Sequence, residues 1–271
     1  MKELILVKFG GSVITDKKKS YFLRRGTLAR LVKEIGEARK KLKGNLIIGH
    51  GAGSFAHIPA HKYRTKEGII DKNSVYGLSV TGEAARMLNA IVVQNFVSQK
   101  IPALSFSPLS FLTSDRQVLL KSYIDPIDFL LSIGSIPVVY GDVIMDKSRG
   151  FTIFSTEKVF SVIIDALHKK YRMKVILVTD VDGVHDDKGK NIPRVTPGNF
   201  RLVKKAILGS GSVDVTGGML HKVEESLELA KKYNVETLII NGNVEGNLKK
   251  AILGKKVTST FISKHVGINR D

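Results

Sequence analysis

Three glycine-rich turns carry most of the residues in this chain that are able to do chemistry. They are KFGGSVITDK at 8–17, GHGAGSFAH at 49–57 and DVTGGMLHK at 214–222. Glycine lets backbone N–H groups close on an anion with no Cβ in the way. In the first turn Gly10 and Gly11 would form such a cradle, with Lys8 at the strand end and Lys17 on the far side. Two cations about one turn suit a phosphoryl group in transfer, whose charge must be balanced while its bonds change. The spacing is not that of a P-loop, because GxxxxGK[ST] is missing. The plain alternative is a tight turn between regular elements with solvated lysines.

In the second turn Gly49, Gly51 and Gly53 follow an apolar run and make another candidate anion nest. Of its two histidines, His57 falls at the start of the next helix, where a ring nitrogen and unpaired helix N–H groups can hold one anion together. His50, at the strand end, reads as a packed residue, and His61 and His185 as surface histidines. In VTDVDGVHDDKGK at 178–190, Asp180 and Asp182 would orient a ribose or hold Mg²⁺, unless DVDG is simply a turn. In the third glycine turn Asp214 or Thr216 would cap a helix. Gly217 and Gly218 would expose its N-terminus, and Lys222 would lie a turn further in. That suits nucleotide phosphates, although a plain capped helix has the same pattern.

The elements that must position these turns are read from hydrophobic pattern. Short apolar runs recur at 4–9, 45–50, 102–107, 136–142, 174–183 and 236–243, each ending in polar or glycine residues. Such runs predict strands buried on both faces. Helical spacing appears between them at 27–42, with Thr27 as the expected N-cap, and at 82–100, 125–133, 156–171, 217–233 and 245–253. A hairpin is expected at 145–154. Alternating strand and helix predict an α/β fold: an open, mostly parallel central sheet with helices on both faces. In such a sheet ligands gather at the carboxyl ends of the strands, where the glycine turns and Asp180 all fall.

Composition narrows the field. The chain has 271 residues, room for one large domain or two joined lobes, and no cysteine, which rules out thiolate chemistry and disulfides. No run of about 18 apolar residues is present, so the expectation is a cytoplasmic protein without a membrane span. A net charge of +18 points to an anionic partner or to a lysine-rich solvated surface. A nucleic-acid-binding role is disfavoured, because no aromatic stripe or nucleic-acid motif accompanies the charge.

Taken in order, KxGGS, GxGSFxH, IPVVYGD, TDVDGV and DVTGGMxxK resemble the amino acid kinase superfamily over about residues 3–262. Within it, HGAGSF followed by a histidine is similar to the isopentenyl phosphate kinases. The resemblance implies a single amino acid kinase domain over 1–271, with an acceptor-binding lobe at about 1–172 and a nucleotide-binding lobe at about 173–263. It implies phosphoryl transfer from ATP, with Mg²⁺, to isopentenyl phosphate, in a homodimeric enzyme. A related kinase acting on another phosphate, phosphonate or acidic metabolite stays open, as does a regulatory protein on a kinase fold. By resemblance, Lys8, Gly10, Gly11 and Ser12 would cradle ATP phosphates and Lys17 would stabilise the transition state. Ala52 and Gly53 would offer N–H groups to the acceptor and donor phosphates, and His57 would bind the acceptor phosphate. Asp180, Gly217, Gly218 and Lys222 would serve the nucleotide. One departure stands out: where the family shows SGD, this chain has Ser155, Thr156 and Glu157. The family's glycine and aspartate meet substrate phosphate and hold the lysines, so Thr156 and Glu157 are expected in the site with altered geometry. In the apolar helix near 75–97, Tyr76, Val80 and Met87 are candidates for an isoprenoid pocket, with core packing or a dimer contact as the alternative.

Overall fold

The computed structural model describes residues 1–16, 18–209 and 218–265. Its first half runs β1 (Lys2–Phe9), α1 (Gly11–Ile14), α2 (Arg25–Arg39), β2 (Asn45–His50), α3 (Gly53–Lys62) and α4 (Ser74–Ser98). Then come β3 (Ala103–Ser105), α5 (Pro108–Phe111), β4 (Leu112–Asp115), β5 (Val118–Ser122), α6 (Asp125–Ser132) and β6 (Ile136–Tyr140). The hairpin β7 (Asp142–Asp146) and β8 (Gly150–Phe154) leads into α7 (Thr156–Leu167). The second half has β9 (Tyr171–Thr179), the two-residue strands β10 (Val184–His185), β11 (Asn191–Ile192) and β12 (Arg194–Val195), and α8 (Phe200–Gly209). It closes with α9 (Gly218–Tyr233), β13 (Glu236–Asn241), α10 (Asn247–Ile252) and β14 (Ser259–Ile262).

Eight strands form the central sheet in the order β12-β14-β13-β9-β1-β2-β6-β3. Its pairings are parallel except β13 with β14. In β1, Leu4 and Leu6 join the core against α6, α7 and α9, while Ile5, Val7 and Phe9 join the core against α2, α4 and α10. Alternation therefore buries both faces of one strand, as continuous apolar runs predict. A second sheet, β5-β4-β7-β8, stands beside it.

The expected strands and helices are present, with shifts at their ends. α2 begins at Arg25 and no side chain caps it, so Thr27 lies inside the helix and is not its N-cap. α4 begins at Ser74, eight residues before the helical spacing at 82–100 and close to the apolar helix read near 75–97; it packs closely on Tyr63, where a Cβ on Gly77 would be 2.3 Å from Tyr63 Cβ.

Candidate active site

Strand order reverses between β1 and β9: the chain moves from β1 to β2 on one side and from β9 to β13 on the other. A crevice opens outside the carboxyl ends at such a switch point. Here it is a cavity of about 810 Å³. Lys8, Gly10, Gly11, Ser12, Gly53, His57, Glu157, Asp180, Gly218 and Lys222 all line it. Residues that are up to 214 positions apart thus meet in one place. Lys17 and Gly217 lie outside the described residues.

The two N-terminal glycine turns pack backbone to backbone. Gly10 N–H donates to Val178 O at 2.8 Å, and a Cβ on Gly10 would stand 2.7 Å from that oxygen. A Cβ on Gly11 would be 2.8 Å from Gly53 Cα and N. Gly53 itself has φ +52°, a conformation that favours glycine. Fully buried Thr15, which the sequence reading passed over, ties the turns together. Its Oγ1 donates to Gly11 O at 2.7 Å and accepts from Ser54 N–H at 3.0 Å. Gly53 opens α3, whose first N–H groups point outward from the helix end, and His57 follows one turn on, exposed to the cavity. Ala52, between Gly51 and Gly53, is not itself among the residues that line the cavity. It packs against the cluster of Ala56, Ala84, Ala85 and Tyr140.

On the other wall Ser155 caps α7 by accepting from Lys158 N–H at 3.2 Å. Glu157, in the first turn, is ion-paired with Lys8. Burial pushes this carboxyl up, but the charge and hydrogen bond of Lys8, with the Lys222 charge behind them, bring it down to about 2. Glu157 is therefore an anchor that holds a lysine, and it is no proton acceptor near neutrality. Thr156, also expected in the site, is not among the residues that line the cavity. It is buried, and its Oγ1 donates to His50 O at 2.7 Å. Its methyl fills the space over Gly49, where a Cβ would be 2.6 Å away.

On the nucleotide side Asp180 is exposed on the cavity wall. Asp182 accepts from Asn241 Nδ2 at 3.0 Å and is not among the residues that line the cavity. Lys222 Nζ reaches the Gly218 carbonyl at 2.9 Å. His185, read from sequence as a surface histidine, lines the cavity together with Asp186 and His221. The polar run that follows the TDVDG strand end was the available signal. Among the described residues no group of three or more His, Asp or Glu side chains could hold a metal ion. Nor is any helix there long and apolar enough to cross a membrane.

This arrangement of cations, backbone N–H groups and histidines suits anionic phosphates. Comparison with known proteins gives the family. The model of the amino acid kinase family matches residues 3–241. The isopentenyl phosphate kinase of Methanothermobacter thermautotrophicus is 35% identical over 97% of this chain and 100% of its own length. That of Methanocaldococcus jannaschii is 31% identical over 93% of this chain and 96% of its own length. A crystal structure of an isopentenyl phosphate kinase superposes with a TM-score of 0.80 at 32% identity, covering 96% of this chain and 100% of that one. On these grounds the chain belongs to the amino acid kinase family and, within it, to the isopentenyl phosphate kinases.

Proposed function

We propose that this chain transfers the γ-phosphoryl group of ATP to isopentenyl phosphate, giving isopentenyl diphosphate and ADP. The observation that carries the reading is the cavity at the switch point, where cations and glycine N–H groups converge. The acceptor is already a phosphate with a second pKa near 6, so a nucleophilic oxygen is present without a general base. Glu157, the carboxylate paired with Lys8 among the described residues, is held as an ion pair, in keeping with a reaction that needs no base. An acceptor oxygen attacks the γ-phosphorus, the bond to the bridging β,γ-oxygen breaks, and its electrons stay on ADP. The barrier is electrostatic, since two polyanions must meet, and positioned cations and N–H donors lower it.

The geometry of the described residues and, for Lys17 and Gly217, the family pattern alone support a division of labour. His57 and the N–H groups of Ala52 and Gly53 would hold the acceptor phosphate. Asp180, Gly217, Gly218 and Lys222 would hold the nucleotide. Lys8, Gly10, Gly11, Ser12 and Lys17 would lie along the transferring group, with Lys8 fixed by Glu157. Mg²⁺ is commonly carried on nucleotide phosphates with one or two carboxylates, and Asp180 is an exposed carboxylate at the end of β9 on this wall, with Asp186 and Asp187 further along it. Tyr76 and Met87 are 65% and 43% exposed and do not line this cavity, so the prenyl tail is assigned to no residue here. Leu104 on the free edge of β3, with exposed Val97 and Leu109 nearby, supports a homodimer. An enzyme that consumes ATP and has no cysteine fits the cytoplasm.

The test is ADP release from MgATP with isopentenyl phosphate, beside UMP and acetylglutamate as acceptors. Turnover is expected only with isopentenyl phosphate. It should fall by about 10²-fold or more in His57→Ala, the usual cost of a lost donor at a transferring group. Equal turnover with UMP, or an undiminished His57→Ala enzyme, would overturn the reading.

A further inference from the structure

His50 ends β2 and is fully buried, on the sheet face opposite Lys8. Its ring stacks on Tyr140, centroids 5.5 Å apart and planes 6° from parallel. Nδ1 stands 3.2 Å from Gly51 O, and Nε2 stands 3.1 Å from Asn89 Oδ1. Asn89 Nδ2 in turn donates to Ser105 Oγ. Burial, helped by the Lys8 charge and opposed by the two hydrogen bonds, lowers this histidine to about 4, so the ring is neutral at working pH. A neutral imidazole carries a single N–H, and only one of its two neighbours can receive it.

We propose that His50 is a positioning residue for the phosphate-binding turn, donating Nδ1–H to Gly51 O and thereby aiming the Ala52 N–H at the acceptor phosphate. The Gly51 carbonyl and the Ala52 N–H belong to one peptide unit, and in a trans peptide they point in opposite directions. Drawing the carbonyl toward the core turns the N–H outward, between Gly51 and Gly53, which line the cavity. Among the described residues neither Ala52 N–H nor Gly53 N–H donates to a protein acceptor. The Nδ1–H tautomer turns the Asn89 amide over from the orientation just described, placing its NH₂ at Nε2 and its oxygen toward the Ser105 hydroxyl, since otherwise two oxygens would face a ring with one N–H. The result is a one-way chain from Ser105 through Asn89 and His50 to Gly51, with every member satisfied. Thr156, donating to the His50 carbonyl, holds the same strand end from the other side. The inference rests on the phosphate-transfer reading for its purpose but not for its geometry.

Two measurements test it. In ¹⁵N-histidine-labelled wild-type protein, long-range ring correlations report the tautomer, with the His50 signals assigned by their loss in His50→Asn. An Nδ1–H tautomer is expected; Nε2–H overturns the proposal, whatever the substrate proves to be. In kinetics, the amide nitrogen of His50→Asn occupies the place of Nδ1, whereas that of His50→Gln reaches toward Asn89 instead. With both variants folded by thermal melting, His50→Asn should keep kcat/KM for isopentenyl phosphate within about threefold. His50→Gln should lose about 10- to 100-fold with the KM for ATP nearly unchanged, since small misplacements of a reacting group cost factors of this size. A Gln variant as active as the Asn variant, or more so, overturns the proposal. A wild type inactive on isopentenyl phosphate would instead count against the function, leaving the tautomer to decide on His50.

Discussion

Lys8 and His50 lie at the ends of adjacent strands, in a register that pairs Lys8 with Gly49 and Phe9 with His50. Both are buried, yet the two faces of the sheet treat them in opposite ways. On the α7 face Lys8 keeps a charge partner, Glu157, and borders the cavity. On the α4 face His50 is neutral and sits among Asn89, Ser105 and Tyr140. A buried ion pair is expensive to desolvate and adds little stability compared with well-packed apolar groups. A satisfied neutral network costs far less. The difference teaches where charge is needed: it is kept on the face that a polyanion enters, and the other face shapes the turn without any charge at all.

The largest effect expected from breaking this contrast comes from Glu157→Gln. The substitution keeps size and removes the charge that holds Lys8. Turnover should drop by about 100-fold, while the KM for ATP moves by less than about threefold, because other residues hold the nucleotide. In combination with Lys8→Met, the losses should fail to add, as expected for two residues acting as one unit. Unchanged turnover in Glu157→Gln would take Glu157 out of the site and leave the charged face without its stated purpose.

A smaller effect sharpens the neutral side. His50 titrates near 4 in the folded protein and near 6.5 in the unfolded chain. Between those values the unfolded chain binds the proton, so this residue makes stability fall as pH falls, by up to about 3 kcal/mol. Asp142 lies beyond Tyr140 and accepts from Ser107 Oγ at 3.0 Å. Burial raises it to about 6, with the hydrogen bonds from Ser107 and Val143 opposing. Here the folded state binds the proton first, so stability rises as pH falls from about 6 toward 4, by a similar amount. The two slopes oppose one another. Urea unfolding at a series of pH values from 6.5 to 4.5 should show His50→Asn gaining stability, relative to wild type, as the pH drops. Asp142→Asn should lose stability relative to wild type over the same range. Parallel curves for all three proteins would show that neither group differs between its folded and unfolded states.

The sheet, its glycine turns and the place where they meet were legible because each signal is local. Ile and Val runs imply strands buried on both faces, and glycines at strand ends imply close backbone approach. The contrast between the two faces was not legible. The Lys8–Glu157 pair joins residues 149 apart, and the family pattern alone pointed to an acid near the lysines. Thr156 looked available for substrate, but tertiary packing turned its hydroxyl onto His50 O. His50 read as packed, which is true of its burial but silent about Gly51. The β4–β5 hairpin was missed because Val118, Leu119 and Leu120 of β5 are all exposed and show no alternation to read.

The smallest effect expected on activity separates buried charge as such from charge at the cavity. Glu34 of α2 is 5% exposed and, like Glu157, anchors groups distant in sequence. Its Oε1 accepts from Arg30 Nη1 at 2.7 Å and from Gly246 N–H at 3.0 Å, and its Oε2 accepts from Lys249 N–H at 3.1 Å. It thus satisfies the open N-terminus of α10 and pins that helix to α2, where a negative charge also suits the helix dipole. Arg30 continues the tie by donating to Gly242 O. None of these residues lines the cavity. Glu34→Gln keeps one acceptor oxygen and loses the charge, so unfolding free energy should drop by about 1–3 kcal/mol, the range for hydrogen bonds to charged groups. Turnover at 25 °C should stay within about twofold of wild type. A loss of turnover comparable with that of Glu157→Gln would mean that rigidity of the sheet, and not charge at its open edge, sets the rate.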